Sequence, residues 1–128
     1  MTEQDRIELA IYRINRSKDT LREIDLHIEN KLWNTAVNRL YYACYYAVSA
    51  LLVKNNIEAQ THGGTRQMFG LHFIKTGLIP KESGKFYTDI FDKRQTGDYD
   101  DFVEMGKEDV IGLLEPAKRL VTEIENLL

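Results

Sequence analysis

The chain has 128 residues, about the length of one domain, with 43% hydrophobic residues, 29% charged residues and a net charge of −3. A chain of this size can bury one core without disulfides or metal. The negative balance excludes a protein that coats nucleic acid or an anionic membrane with a broad positive field, though not one with a local basic pocket.

The opening MTEQDRIELA lacks the basic-then-apolar order of a signal peptide. No apolar run approaches bilayer-spanning length, so a cytoplasmic protein without a membrane partner is expected. Cys44 is the single cysteine, which leaves no intrachain disulfide and no cysteine-based metal cluster. Residues 1–128 are expected to form one domain.

Ile7, Ile11, Ile14, Leu21, Ile24 and Ile28 recur at helical spacing, behind a Thr2–Asp5 pair that suits a capping box. The spacing predicts a first helix over about residues 3–29, with Asn30 as its stop. The second segment, LWNTAVNRLYYACYYAVSALLVKNN over residues 32–56, is the most informative. On a helical wheel Trp33, Val37, Leu40, Cys44, Ala47, Val48 and Leu51 form a core stripe. The opposite side carries Asn38, Arg39, Tyr42, Tyr45, Tyr46 and Ser49. That face is aromatic and hydroxyl-rich rather than charged, so it is expected to meet another helix or a second subunit.

Thr61 is placed to cap a third helix over about residues 62–76, with Met68, Leu71 and Phe73 or Ile74 as apolar contacts and Gly77 as its stop. A fourth helix is expected over about 81–96, from Pro80 to a stop at Gly97, carrying Phe86, Tyr87, Ile90, Phe91 and Arg94. An Asp101–Glu104 capping box would start a fifth helix near Asp101. Its stripe includes Val110, Ile111, Leu113, Ala117, Leu120, Val121 and Ile124, with Pro116 inside it either kinking the helix or costing a hydrogen bond. Neither strand pattern nor internal repeat is visible. The fold class is all-α, an antiparallel four- to five-helix up-and-down bundle.

The order of these segments carries a resemblance. A long helix precedes AVNRLYYACYYAVSALL, then come THGG, a helix ending in RQTGDYD and a long final helix. This resembles the HEPN family across about residues 5–125. The resemblance implies a dimerising helical bundle that binds RNA, a nucleotide or a protein partner. It also implies a place in a toxin–antitoxin or defence-type system beside a small nucleotidyltransferase. The alternative it implies is a metal-independent ribonuclease toxin, with Arg94 from two subunits facing one composite cleft. Catalytic members carry an arginine, four to six intervening residues and a histidine. Arg94 matches the arginine, whereas Tyr99, Asp100 and Asp101 occupy the possible histidine positions.

Arginine can fork onto a phosphate and offset developing charge. Tyrosine, with an ordinary pKa near 10, is a poor proton carrier at neutral pH. Arg94, Tyr99 and Asp98 are therefore the candidate catalytic group, with the proton-transfer half of the motif replaced. Each also has a plain structural reading. Arg94 would be a helix-end cation paired with Asp98 or Asp101, Tyr99 a packed side chain, and Asp98 a turn residue. Arg39, His62 and Arg94 are the candidate phosphate-binding residues. Arg39 would otherwise pair with a carboxylate inside the bundle, such as Asp98. His62 would be either exposed or part of an anion-accepting nest with Gly63 and Gly64. Tyr42, Tyr45 and Tyr46 are the candidate dimer interface. His27 and His72 lack a second ligand at metal spacing, so no metal or cofactor is expected. Cys44, on the core stripe, reads as a structural thiol.

Overall fold

In the computed structural model, residues 1–99 and 103–128 are described, with the backbone alone at Tyr99. Helix α1 spans Glu3–Arg22. Its start is the expected capping box, in which the Asp5 amide donates to Thr2 Oγ1 at 3.1 Å and the Thr2 amide donates to Asp5 Oδ2 at 3.0 Å. The helix does not continue unbroken to residue 29. The chain tightens at Glu23, whose amide donates to the Thr20 carbonyl, and a short α2 follows over Ile24–Glu29. Two hydroxyls act just before this break. Thr20 Oγ1 donates back to the Arg16 carbonyl at 2.8 Å and Ser17 Oγ donates to the Ala43 carbonyl at 2.6 Å. Back-bonding of the first kind bends helices. Asn30 ends α2 as expected.

Helix α3, Trp33–Lys54, is the central element. It touches α1 and α2 and the later helices α4, His62–Phe69, α5, Lys81–Tyr99, and α6, Lys107–Glu125. Its core stripe is the expected one. Val37, Leu40, Cys44, Ala47, Val48 and Leu51 are buried, and Trp33 packs on the edge of the same core. Each large apolar side chain so enclosed contributes about 1.5–3 kcal/mol. Burial pushes the Cys44 thiol far above its ordinary range. The thiol is therefore expected to stay unreactive towards an aromatic disulfide reagent until denaturant opens the core. Reaction at the rate of a free thiol in buffer would show that α3 is not sealed.

Thr61 caps α4 as expected, its side chain accepting from the Gly64 amide at 2.9 Å. The helix passes into a π-helical turn over Gly70–Ile74. The buried stripe here is Thr65, Phe69 and Phe73, at intervals of four, and Leu71 is 48% exposed rather than a core contact. Leu71 lies about 200° around the helix from Phe69, which turns it outward. Gly77 ends the segment at φ +81°, a left-handed conformation that glycine adopts without strain.

Two expected boundaries move. Gly97 does not end the fourth helix, because α5 runs on to Tyr99. A Cβ at Gly97 would lie 3.2 Å from Met105 Cε, so the glycine allows a close approach of the segment before α6. The last helix starts at Lys107 rather than near Asp101. There the Gly106 amide donates to Asp109 Oδ2 at 2.8 Å. Asp101 of the expected capping box lies outside the described residues. Helix α6 runs through Pro116 uninterrupted and buries Val110, Leu113, Ala117, Leu120, Val121 and Ile124, while Ile111 is exposed. Among the described residues there is no strand, and no helix is long and apolar enough to cross a membrane. The fold is the all-α bundle.

Candidate functional site

The middle of α3 meets α5, from Tyr87 to Arg94, and the first turn of α4 around one side chain, Tyr41. It is fully buried. The Tyr41 ring lies against Tyr42 and Tyr45 on its own helix, at 5.3 and 6.1 Å between centres. From α5 it meets Tyr87 at 6.0 Å and Phe91 at 5.9 Å. The Arg94 guanidinium sits over the Tyr41 ring, 4.7 Å from its centre, with Tyr42 and Phe91 at 5.9 and 5.8 Å. At the other end of Tyr41, its hydroxyl and His62 Nδ1 are hydrogen-bonded at 2.7 Å. Burial pushes the phenol up to about 12, so Tyr41 is a neutral hydroxyl at physiological pH.

Arg94 is 5% exposed. Asp98, one turn along α5, brings a carboxylate oxygen to 3.8 Å from Arg94 Nη1. Asn38 Nδ2 donates to the same Asp98 oxygen at 2.8 Å. Asn34, near the start of α3, reaches both flanks of the α5–α6 connection. Its Nδ2 donates to the Gly97 carbonyl at 3.3 Å, and its Oδ1 accepts from the Met105 amide at 2.7 Å.

The structure therefore brings Arg94, Asp98, Tyr42, Tyr45 and His62 into one cluster. His62 is neither simply exposed nor confined to a glycine nest, since Tyr45 lies 4.3 Å from it between ring centres. The side chain of Tyr99 lies outside the described residues. Arg39 stands at the edge, 5.8 Å from the Tyr42 ring centre. It has the expected carboxylate partner in kind, but that partner is Glu23, at 2.9 Å, and not Asp98. The break before α2 presents Glu23 to α3, and Asn38 is the α3 residue that Asp98 meets. Burial alone would raise the Glu23 carboxyl, but hydrogen bonds from Arg39 and His27 outweigh it and hold it low. Tyr46 packs on Tyr42 and Tyr45, at 5.9 and 6.1 Å between ring centres, and lies under Arg16 of α1, whose guanidinium is 4.6 Å from its ring centre.

Tyr41 was not singled out from the sequence, and Glu23 falls on the charged outer face of the first helix, where a solvated side chain is the expectation. A signal existed for Tyr41. It falls on the apolar side of the α3 wheel, where a tyrosine needs a partner for its hydroxyl. Nothing in the sequence marks Glu23 as that partner of Arg39.

Burial first, and the Arg94 cation beside it second, hold the His62 imidazole below its ordinary value. Folding therefore favours the neutral ring. Its contribution to stability is complete above the unfolded pKa of about 6.5 and is lost as pH falls through the lower folded value. Denaturant melts at about pH 7.5 and about pH 5.5 should show this loss, and His62→Gln should flatten it. An unchanged pH dependence in that variant would rule out His62 as the source. Among the described residues no three His, Cys, Asp or Glu side chains gather as a metal set. The cluster offers a held cation, several ring faces and one neutral imidazole.

Residues 10–127 match the HEPN domain, and the chain belongs to the HEPN family. It is 38% identical to a UPF0332 protein of Thermotoga maritima, over 100% of this chain and 96% of that one. A Methanocaldococcus jannaschii protein named "Putative toxin" is 33% identical over 79% of this chain and 69% of its own. A UPF0332 protein of Archaeoglobus fulgidus is 26% identical over 95% of this chain and 94% of its own.

Proposed function

We propose that this chain is a toxin-type HEPN protein that binds RNA or a nucleotide at the Arg94 face, works as a homodimer, and is held in check by a small nucleotidyltransferase partner. One observation carries the reading. Arg94 is fixed over Tyr41 with Tyr42, Tyr45 and His62 beside it, which sets a cation among ring faces. Single-stranded nucleic acid is held by that combination, with phosphate on the cation and bases on the rings. The name of the Methanocaldococcus jannaschii relative supports the toxin part. In the bound state a phosphate oxygen takes the place of the Asp98 carboxylate against Arg94.

A second reading, the ribonuclease, is favoured by His62. It puts an imidazole at the hydroxyl of Tyr41, although Tyr99 occupies a position where catalytic relatives carry histidine. In that reaction the RNA 2′-hydroxyl attacks the neighbouring phosphorus and the bond to the 5′-oxygen breaks. His62 takes the 2′ proton and returns it to the leaving oxygen.

The test is binding and cleavage of a synthetic single-stranded RNA by the purified chain and by Arg94→Ala and His62→Gln. The binding reading expects both activities to fall in Arg94→Ala, and RNA binding unchanged in that variant defeats it. The ribonuclease reading expects His62→Gln to bind RNA without cutting it. Solution mass settles the dimer, and co-purification with a co-expressed nucleotidyltransferase settles the partner.

A further inference from the structure

Further along the same face of α3 from the Arg94 cluster, α1, α3 and the segment after α3 line a groove of about 590 Å³. Sites for small ligands span roughly 300–1,000 Å³. Its lining departs from the acidic balance of the chain. Arg6, Arg13 and Arg16 enter it against one carboxylate, Glu58. Among the described residues none of these arginines forms an ion pair, whereas Arg22, Arg39 and Arg94 each do. Three uncompensated guanidinium groups along one side of a helix concentrate positive potential where an anion would be held.

The aromatic groups are placed to complement that charge. Arg16 lies over the Tyr46 ring, which fixes the guanidinium plane and leaves its N–H edge to fork onto two oxygens. Tyr12, at the rim, is 60% exposed, so its ring is available to a flat ligand. Tyr45 lines the groove and also packs on His62, so one ring borders both the groove and the Arg94 cluster. Leu52, Val53 and Ile57 supply an apolar wall. An aliphatic acid would use the arginines and leave Tyr12 idle. An acidic peptide would pair its carboxylates with the arginines but offers no flat base for the exposed ring.

We infer that this groove is a second ligand site, taking a nucleoside phosphate with its phosphate on Arg13 and Arg16 and its base against Tyr12. The ligand is either a free nucleotide or one unit of an RNA strand that continues over Tyr45 towards His62. The inference does not depend on Arg94.

The experiment is calorimetry on the full chain with adenosine monophosphate, inorganic phosphate, a ten-residue acidic peptide and a short oligoribonucleotide. The nucleotide is expected to bind about fivefold or more tighter than phosphate, the gain coming from base stacking. The double variant Arg13→Gln/Arg16→Gln should weaken the nucleotide about tenfold or more, since a charged hydrogen-bond pair is lost twice. Tyr12→Ser should remove the advantage over phosphate. Arg94→Ala should leave nucleotide binding as it was, so failure at Arg94 and failure here are separate results. Competition by the oligoribonucleotide that the double variant abolishes assigns the site to a strand. Nucleotide binding without competition assigns it to a free nucleotide. Nucleotide affinity unchanged in the double variant, nucleotide no tighter than phosphate, tighter binding of the acidic peptide, or no saturable nucleotide binding each overturns the inference. Circular dichroism of the variants confirms that they fold.

Discussion

Tyr41→Ala is expected to destabilise the fold by about 3–5 kcal/mol, the cost of removing a fully buried aromatic side chain. The ring is 0% exposed and touches Tyr42, Tyr45, Tyr87, Phe91 and His62, so it cannot be replaced by collapse of one neighbour. In a chain of this size such a loss lowers the melting temperature by roughly 10–20 °C. Tyr41→Phe separates the ring from the hydroxyl. It keeps the packing and leaves His62 Nδ1 without the 2.7 Å partner, which should cost about 1–3 kcal/mol. Calorimetric melts of both variants decide the matter. A Tyr41→Ala protein that melts with the parent would mean that α3, α4 and α5 do not converge on this side chain.

Replacement of Arg94 has the largest expected effect on function. Arg94→Ala should weaken RNA binding by about 10- to 150-fold, the equivalent of a charged hydrogen bond worth about 1.5–3 kcal/mol. Because the side chain is 5% exposed and lies over three rings, part of the loss could come from a loosened fold. Arg94→Lys controls for that, since it keeps charge and bulk but loses the planar fork and its stacking. RNA binding in Arg94→Lys should stay well below the parent in a protein that still melts cooperatively. Asp98→Asn should act in the opposite direction. It removes the carboxylate 3.8 Å from Arg94 that a phosphate must displace, so RNA affinity should rise. Binding equal to the parent in Arg94→Lys, together with weaker binding in Asp98→Asn, would contradict the exchange of carboxylate for phosphate.

Much of the fold was legible because it is set by near neighbours in the chain. The Thr2–Asp5 box, the Thr61 cap, the stop at Gly77 and the α3 stripe each depend on residues within a few positions. The features that were not legible depend on distant contacts. Gly97 has the composition of a helix stop, but the approach of Met105 decides its use. The first helix has one continuous apolar period, and the break at Glu23 follows hydroxyl bonding near Thr20 and the Arg39 ion pair. The site divides in the same way. Arg94, Asp98, His62 and the tyrosines were visible as residue types in a family order. Their meeting point, Tyr41, belongs by periodicity to the core, so only the packing of three helices shows that it joins them.

Asn34 adds a consequence for how sequences of this kind can diverge. One amide from the start of α3 holds the carbonyl of Gly97 and the amide of Met105, on either side of the α5–α6 connection. The closure of that connection is thus fixed from outside it. Lengthening a chain segment whose ends are already tied costs little, about 0.6 kcal/mol for each doubling. Insertions and deletions between those two anchors can therefore accumulate while Arg94 stays over Tyr41. With both flanks held by Asn34, a change in the length of that interval need not disturb the seat of Arg94.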